Sequence, residues 1–310
     1  MHKKSLIIIL GPTAVGKTAV GIEVAKALGT EIISADSRQF FKEMSIGTAK
    51  PNEEELKSVK HHFINSLSVE DDYNVGMFEK DVLIVLDKIF QKKDTALMVG
   101  GSGLYINAVC NGFDEVPEAD KEIRASITKM YIQEGIEYLR STLKKLDEEH
   151  YRKVDIKNPH RLIRAIEVCM TTGKPYSELR KGEKKKRNFT SIKIGLNMDR
   201  EKLYQKINER VDEMMKAGLL EEVRSLDKYK HLNSLKTVGY NELFNHLESV
   251  TSANAQSPFR DLGQAVELIK QNTRNFAKRQ MTWFRRDEEI KWFDPNDIQE
   301  IIQFVKTKIK

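Results

Sequence analysis

The stretch "SLIIILGPTAVGKT", residues 5–18, decides the fold. Its aliphatic run, Leu6 to Leu10, is too short for a membrane span or a signal-peptide core and suits a strand buried on both faces. The eight residues that follow satisfy G-x-x-x-x-G-K-[ST]. In such a loop, glycines let backbone N–H groups converge on phosphate oxygens at a helix N-terminus, where the macrodipole favours anions. Gly11, Pro12, Thr13, Ala14, Val15, Gly16, Lys17 and Thr18 are the expected phosphate cradle. Lys17 is placed to reach a terminal phosphate, and Thr18 to offer its hydroxyl to Mg²⁺. A helix is expected from Thr18 to Leu28.

Outward from the loop, strands and helices alternate. "EIISADS" (31–37) and "TALMVGG" (95–101) read as strands. Between them, residues 76–90 place Phe78, Val82, Val85, Leu86, Ile89 and Phe90 at helical spacing. "LIVLD" (83–87) lies inside that helical pattern, so Asp87 does not end a strand where it could hold a nucleotide's metal, and the strand at 95–101 runs into "GGSG" without an acid. "EIISAD" does end in an acid, Asp36, but the "SRQFF" after it suggests a recognition loop as much as a metal ligand, so the loop reads as a phosphate site more convincingly than as part of a nucleotide hydrolase. From 117 to 189 strand signals vanish: "EIRASITKMYIQEGIEYLRSTLKKL" and "PHRLIRAIEVCMTTG" are helical, the second ending at Gly173 with Pro175 beyond. "FTSIKIGLNM" (189–198) returns to strand character, and 200–310 is mostly helical with a polar break at 249–258. The expected fold is α/β: a P-loop NTPase-like parallel-sheet core (1–116 and 190–310) with an inserted all-helical domain (117–189).

Composition bounds the function. Charged residues are 32% and hydrophobic residues 40% of the 310, as in a folded water-exposed protein, and two unpatterned cysteines, Cys110 and Cys169, give neither a disulfide framework nor a zinc site. The expectation is a cytoplasmic monomer with no membrane partner. The net charge of +6 is unevenly spread: residues 151–189 hold twelve Lys/Arg against four Asp/Glu, and 273–286 hold five basic residues and no acid. Two such segments suggest a polyanionic partner, although "RKGEKKKR" (180–187) is equally a solvated loop.

Taken together, these motifs resemble the tRNA dimethylallyltransferase (tRNA isopentenyltransferase) family, bacterial type. The resemblance rests on "GPTAVGKT", "ADSRQFF" (35–41), "GTAKP" (47–51), "HHFI" (61–64), "GGSGLY" (100–105), "VPEADKEIR" (116–124), "NPHRLIRAIEV" with "TTG" (158–173), "NERVDEMMKAGLLEEV", "VGY" and "TRNFAKRQMTWFR", in register over nearly the whole chain. It implies transfer of a dimethylallyl group from dimethylallyl diphosphate to the exocyclic amine of the adenosine 3′ of a tRNA anticodon, with the loop cradling the diphosphate. A phosphate loop recognises phosphates through backbone amides and one lysine, whatever hangs from them. The rivals are a prenyltransferase acting on free adenylate, a small-molecule kinase and an RNA-binding ATP switch. The sequence departs from the family at Asp147-Glu148, where Asp-Pro is usual, at Phe40-Phe41, and at Ser102, where threonine is usual. A C-terminal Cys/His zinc module, as in eukaryotic relatives, is not expected.

Residue roles follow from the reaction. Departing diphosphate develops negative charge, which Lys17, the loop amides and Mg²⁺ can stabilise; the resemblance adds Arg210 and the Ser102 hydroxyl. The adenine amine has a delocalised lone pair and needs a base; Asp36, at a strand's end near the loop, is the candidate, or else an ordinary turn aspartate. Ser37, Arg38 and Gln39 follow it and are expected at the RNA, with Gln39 suited to the adenine edge. The target base must leave its stack to reach the site. Arg161 and Arg164, with His160 beside them, are expected to grip phosphates, as is Arg124 by resemblance; Arg274, Lys278 and Arg279 supply a second basic face. Trp283 and Phe284 are expected in the core or, alternatively, against the RNA. His61 and His62 point apart on any regular element, which disfavours a shared metal.

Overall fold

The computed structural model describes residues 4–114, 116–117, 120–251 and 261–309. The chain forms two compact units, residues 1–110 with 187–310, and residues 111–186.

The first unit begins with β1 (Ser5–Leu10), the phosphate loop, α1 (Lys17–Leu28), β2 (Ile32–Ser34), α2 (Glu53–Ser58), β3 (His61–His62), α3 (Val75–Phe90), β4 (Thr95–Gly100) and α4 (Gly103–Asn111, ending at the unit boundary). The strands form one parallel sheet, order β3-β2-β4-β1-β5-β6, completed by strands from after the second unit. β1 lies near its centre. Leu6, Ile8 and Leu10 face one buried cluster, and Ile7 and Ile9 face the other, as the two-residue period of a strand requires. This is why an unbroken aliphatic run, rather than an alternating one, marks this strand.

The second unit is all-helical: α5 (Lys121–Glu134), α6 (Ile136–Leu146), α7 (Glu148–Lys153), α8 (Pro159–Thr172) and α9 (Tyr176–Leu179). Its own core is Ile127, Leu139, Leu143, Leu162, Ile163, Ala165 and Ile166. The helical stretch 122–146 is two helices, not one: Gly135 (φ 76°) ends α5 and opens α6. Asp147 is buried; it accepts from His150 N, Ser177 N and Ser177 Oγ, tying α7 to α9. Burial opposes its ionisation, but those hydrogen bonds outweigh it and hold its pKa below the ordinary value. The two ends of the unit meet where Lys185 N donates to Asn111 O at 2.7 Å.

The chain then returns through β5 (Thr190–Leu196), α10 (Arg200–Lys216), α11 (Leu219–Ser225), α12 (Tyr240–Thr251), α13 (Leu262–Phe284), β6 (Lys291–Phe293) and α14 (Ile298–Lys308). β6 is a strand inside the region expected to be helical, and β3 is likewise unanticipated. The strands expected at 31–37 and 189–198 are shorter than read, Ile32–Ser34 and Thr190–Leu196. The break expected at 249–258 starts later, since α12 runs to Thr251; residues 252–258 lie outside the described set, as do 118 and 119 of the 116–124 segment. The helix over 75–90 confirms that "LIVLD" is not a strand. Among the described residues no helix is long and apolar enough to cross a membrane.

Candidate active site

The C-terminal ends of β1, β2 and β4 converge, the place where open parallel sheets bind ligands. β1 opens into the phosphate loop at Gly11 (φ 151°), where a Cβ would stand 2.6 Å from the Leu196 carbonyl oxygen. Ala14 holds φ 63°, a conformation a residue with a side chain adopts only when its surroundings impose it. The loop closes on Gly16, which caps α1 in the left-handed region.

Lys17 Nζ donates to Pro12 O at 2.7 Å. The residue as a whole is half-buried, but its ammonium is enclosed, and burial brings its pKa down to about 7. The positive charge of Arg210 pushes in the same direction and the carboxylate of Asp36 opposes. Arg210, on α10, is also depressed by burial, with Asp36 and Glu213 opposing. Arg38 is depressed by burial too, against Tyr105 and Asp36. Three basic side chains thus gather around one carboxylate, Asp36, a setting suited to an anionic ligand.

A cavity of about 250 Å³ brings together Thr13, Asp36, Ser37, Arg38, Ser102 and Arg210 from the expected set. Asp36 Oδ1 accepts from Arg38 N at 2.9 Å, a turn contact that leaves Oδ2 without a hydrogen bond among the described residues. Ser102 Oγ accepts from Ser37 N at 3.0 Å, which leaves its proton to donate. Gln39 turns inward instead of toward the cavity: its amide accepts from Ser34 Oγ and donates to Thr48 O and Ala49 O. It holds a loop, where base-edge reading was expected.

Gln280, on α13, was not anticipated. Its buried amide accepts from Thr13 N and donates to Gly101 O, both at 2.9 Å, joining the phosphate loop to the loop that carries Ser102. A polar residue inside a basic helical run gives no sequence signal of burial. Gly47, Thr48 and the turn Thr237–Gly239 also line the cavity and were missed for a different reason: they contribute backbone and small side chains.

The basic residues divide. In the helical unit, Arg124 Nη2 pairs with Glu167 at 2.7 Å, and Arg164 donates to Pro117 O at 2.6 Å and lies 3.4 Å from the other Glu167 oxygen. Glu167 is fully buried, so both arginines neutralise a core carboxylate rather than standing free as phosphate grips. His160 and Arg161, on the first turn of α8, are exposed. In the sheet unit, Arg274 Nη1 donates to Asn208 Oδ1 at 2.6 Å, and Arg279 stacks 5.8 Å from the Phe276 ring. Lys278 and Arg200 flank the Tyr204 ring in a groove of about 540 Å³ that Arg285 also lines. Phe284 is core, as expected, but Trp283 is 41% exposed and lies against Gly103. His61 binds the Val59 carbonyl and His62 binds Glu31, so they do point apart. Among the described residues no group of three or more His, Cys, Asp or Glu could hold a metal.

A family model described as IPP transferase matches residues 39–287. A protein of Christiangramia forsetii named tRNA dimethylallyltransferase is 51% identical over 305 residues, covering 98% of each chain. The crystal structure of a tRNA isopentenylpyrophosphate transferase from Bacillus halodurans is 34% identical, with a TM-score of 0.70, over 99% of this chain and 97% of that one. A eukaryotic dimethylallyltransferase acting on tRNA, 24% identical with a TM-score of 0.77 over 98% of this chain and 77% of that one, shares the fold. The phosphate loop, the Asp36 turn and the Ser102 loop thus stand in a chain that belongs to the IPP transferase family.

Proposed function

We propose that this chain transfers a dimethylallyl group from dimethylallyl diphosphate to the exocyclic amine of the adenosine 3′-adjacent to the anticodon in tRNA, releasing diphosphate. The observation that carries the reading is one cavity that joins a phosphate loop and Arg210 to an aspartate with a free oxygen. The amine nitrogen forms a bond to the prenyl C1 as the C1–O bond to diphosphate breaks. The amine proton passes to Asp36 Oδ2. The departing diphosphate takes the bond's electron pair, and its charge falls to the loop amides, Lys17, Arg210 and the free proton of Ser102. A carboxylate and a phosphate cradle in one pocket need no nucleotide chemistry.

Mg²⁺ fits this donor set. It keeps several waters and binds largely through substrate phosphates rather than an all-protein cage, and Thr18, on the first turn of α1, offers one hydroxyl. Thr18 would hold it there, and it would supply positive charge against the departing diphosphate.

The anticodon stem-loop is the proposed RNA partner. His160 and Arg161 are exposed for phosphate contact, with Arg124 and Arg164 bracing their helix through Glu167. Lys278 and Arg200 beside the Tyr204 ring make a groove suited to a nucleic-acid strand, with Arg274 and Arg279 on the same helix as Lys278.

The test is mass spectrometry of tRNA nucleosides after incubation with dimethylallyl diphosphate, for the wild type and Asp36→Asn. The expected result is a prenylated adenosine, with kcat for the variant lower by roughly 10²–10⁴ and tRNA affinity changed less than about tenfold. Transfer to free AMP in preference to tRNA would replace the acceptor assignment. A variant that keeps its single-turnover rate but loses tRNA affinity would make Asp36 a recognition residue.

A further inference from the structure

Glu222, on α11, makes a set of contacts that the reaction chemistry does not call for. Its Oε2 accepts from Ser45 N at 2.9 Å and Ile46 N at 2.8 Å. Its Oε1 accepts from Gly47 N at 3.0 Å and from the Tyr240 hydroxyl at 2.6 Å. One carboxylate thus gathers three consecutive backbone N–H groups and a buried phenol at the start of α12. Tyr240 is fully buried, and a Cβ on Gly47 would stand 2.5 Å from its ring, so the loop lies directly against the hydroxyl end of the ring. Burial raises the phenol's pKa, and the Glu222 carboxylate raises it further, which keeps the hydroxyl a donor.

The loop so held is a wall of the reaction cavity. Gly47 and Thr48 line it, as do Thr237, Val238 and Gly239 just ahead of Tyr240. None of these residues carries a charge, and the donors of Gly47, Thr48 and Gly239 are already given to Glu222, Met44 O and Glu242, so the wall is poorly suited to a diphosphate. Gln39 donates to Thr48 O and Ala49 O, and Gln39 follows Asp36 by three residues. The wall is therefore tied to the segment that bears the proposed base, not to the phosphate loop.

We propose that Glu222 is a positioning residue for the acceptor: through Tyr240 and the amides of residues 45–47 it fixes an uncharged wall against which the adenine base is placed for attack. This rests on the assignment of Asp36 as the acceptor's base. Glu222→Gln tests it, because the amide has one acceptor atom where the carboxylate has two, and its NH₂ group must face donors. Tyr240→Phe is a milder second variant that keeps the carboxylate and removes one donor, should the first fail to fold. Hydrogen–deuterium exchange over residues 42–49, steady-state transfer to tRNA, and calorimetric binding of inorganic pyrophosphate are measured on the full chain.

For Glu222→Gln the expected result is exchange over 42–49 at least tenfold faster with α1 unchanged, and a KM for tRNA raised about tenfold or more. The kcat at saturating tRNA and the pyrophosphate affinity stay within about threefold of wild type. Tyr240→Phe moves the same readouts in the same direction by less. A tRNA KM within twofold of wild type in the faster-exchanging variant overturns the proposal, as does a pyrophosphate affinity that falls in step with it. If the wild type modifies no tRNA, the functional assignment fails on its own, and unchanged exchange in the variant separately overturns the brace.

Discussion

Lys17 shows what the site demands of a single residue. Its ammonium is held at a pKa of about 7, far below the unfolded value of 10.5, chiefly by burial and then by Arg210. Between those two values the unfolded chain binds the extra proton, so stability rises with pH through that window, and the full cost of burying the charge is felt below pH 7. Replacing Lys17 with methionine should therefore raise stability below pH 7 by roughly 1–3 kcal/mol, a figure reduced from the full shift because the residue is only half-buried. The gain should shrink toward pH 10, which thermal melts across pH would show. Transfer should be abolished in the same variant. The converse holds for ligand binding: a diphosphate beside Lys17 favours its charged form, so at pH 8 binding should take up close to one proton. Calorimetry in buffers of different ionisation enthalpy reads this directly, and no uptake would mean that Lys17 is already charged without a ligand.

At the scale of elements, the site is a meeting of strand ends locked by one helix. Gln280 on α13 joins the β1 and β4 loops. Gln280→Leu leaves the Thr13 N–H and the Gly101 carbonyl unpaired, which should cost about 1–3 kcal/mol. Pyrophosphate affinity should fall about tenfold as the phosphate loop loosens; a melt and a binding isotherm on one preparation test both. The elements around this lock differ in how legible they are. β1, the phosphate loop and α1 can be read directly, because a strand buried on both faces is uniformly aliphatic and a glycine-rich turn has few alternatives. β6 is three residues long, and β3 is two; neither is long enough to show a period, and only pairing with β5 and β2 makes them strands. Arg124 and Arg164 read as phosphate grips because "AIEV" gives no sign that Glu167 points into the helical unit's core and must be neutralised there. Asp36 is legible as a candidate base at a strand end, and Ser102 only through the family resemblance. Gln280 and Glu222 are not, since their partners are backbone atoms remote in sequence.

At the scale of the whole molecule, the helical unit has a core of its own and ends that meet through the Lys185–Asn111 hydrogen bond. Replacing residues 112–185 with a short Gly-Ser linker should leave the sheet unit folded and its pyrophosphate affinity within about threefold. Affinity for tRNA should fall steeply, and the slope of log affinity against log salt should flatten as counterion release is lost. Filter binding at several salt concentrations distinguishes this from a unit that only shields the core. The place of the insertion also affects how the chain is made. β1 pairs with β5 from Ser5↔Thr190 onward, so the two strands of that ladder are separated by 185 residues of chain. On a ribosome adding roughly 5–20 residues per second, the nascent aliphatic strand waits on the order of 10–40 s with that edge unpaired. An unpaired edge of this composition is a template for wrong pairing between nascent chains. Slow decoding or scarce chaperone at that stage would lower the yield of native protein without altering any property of the molecule once folded.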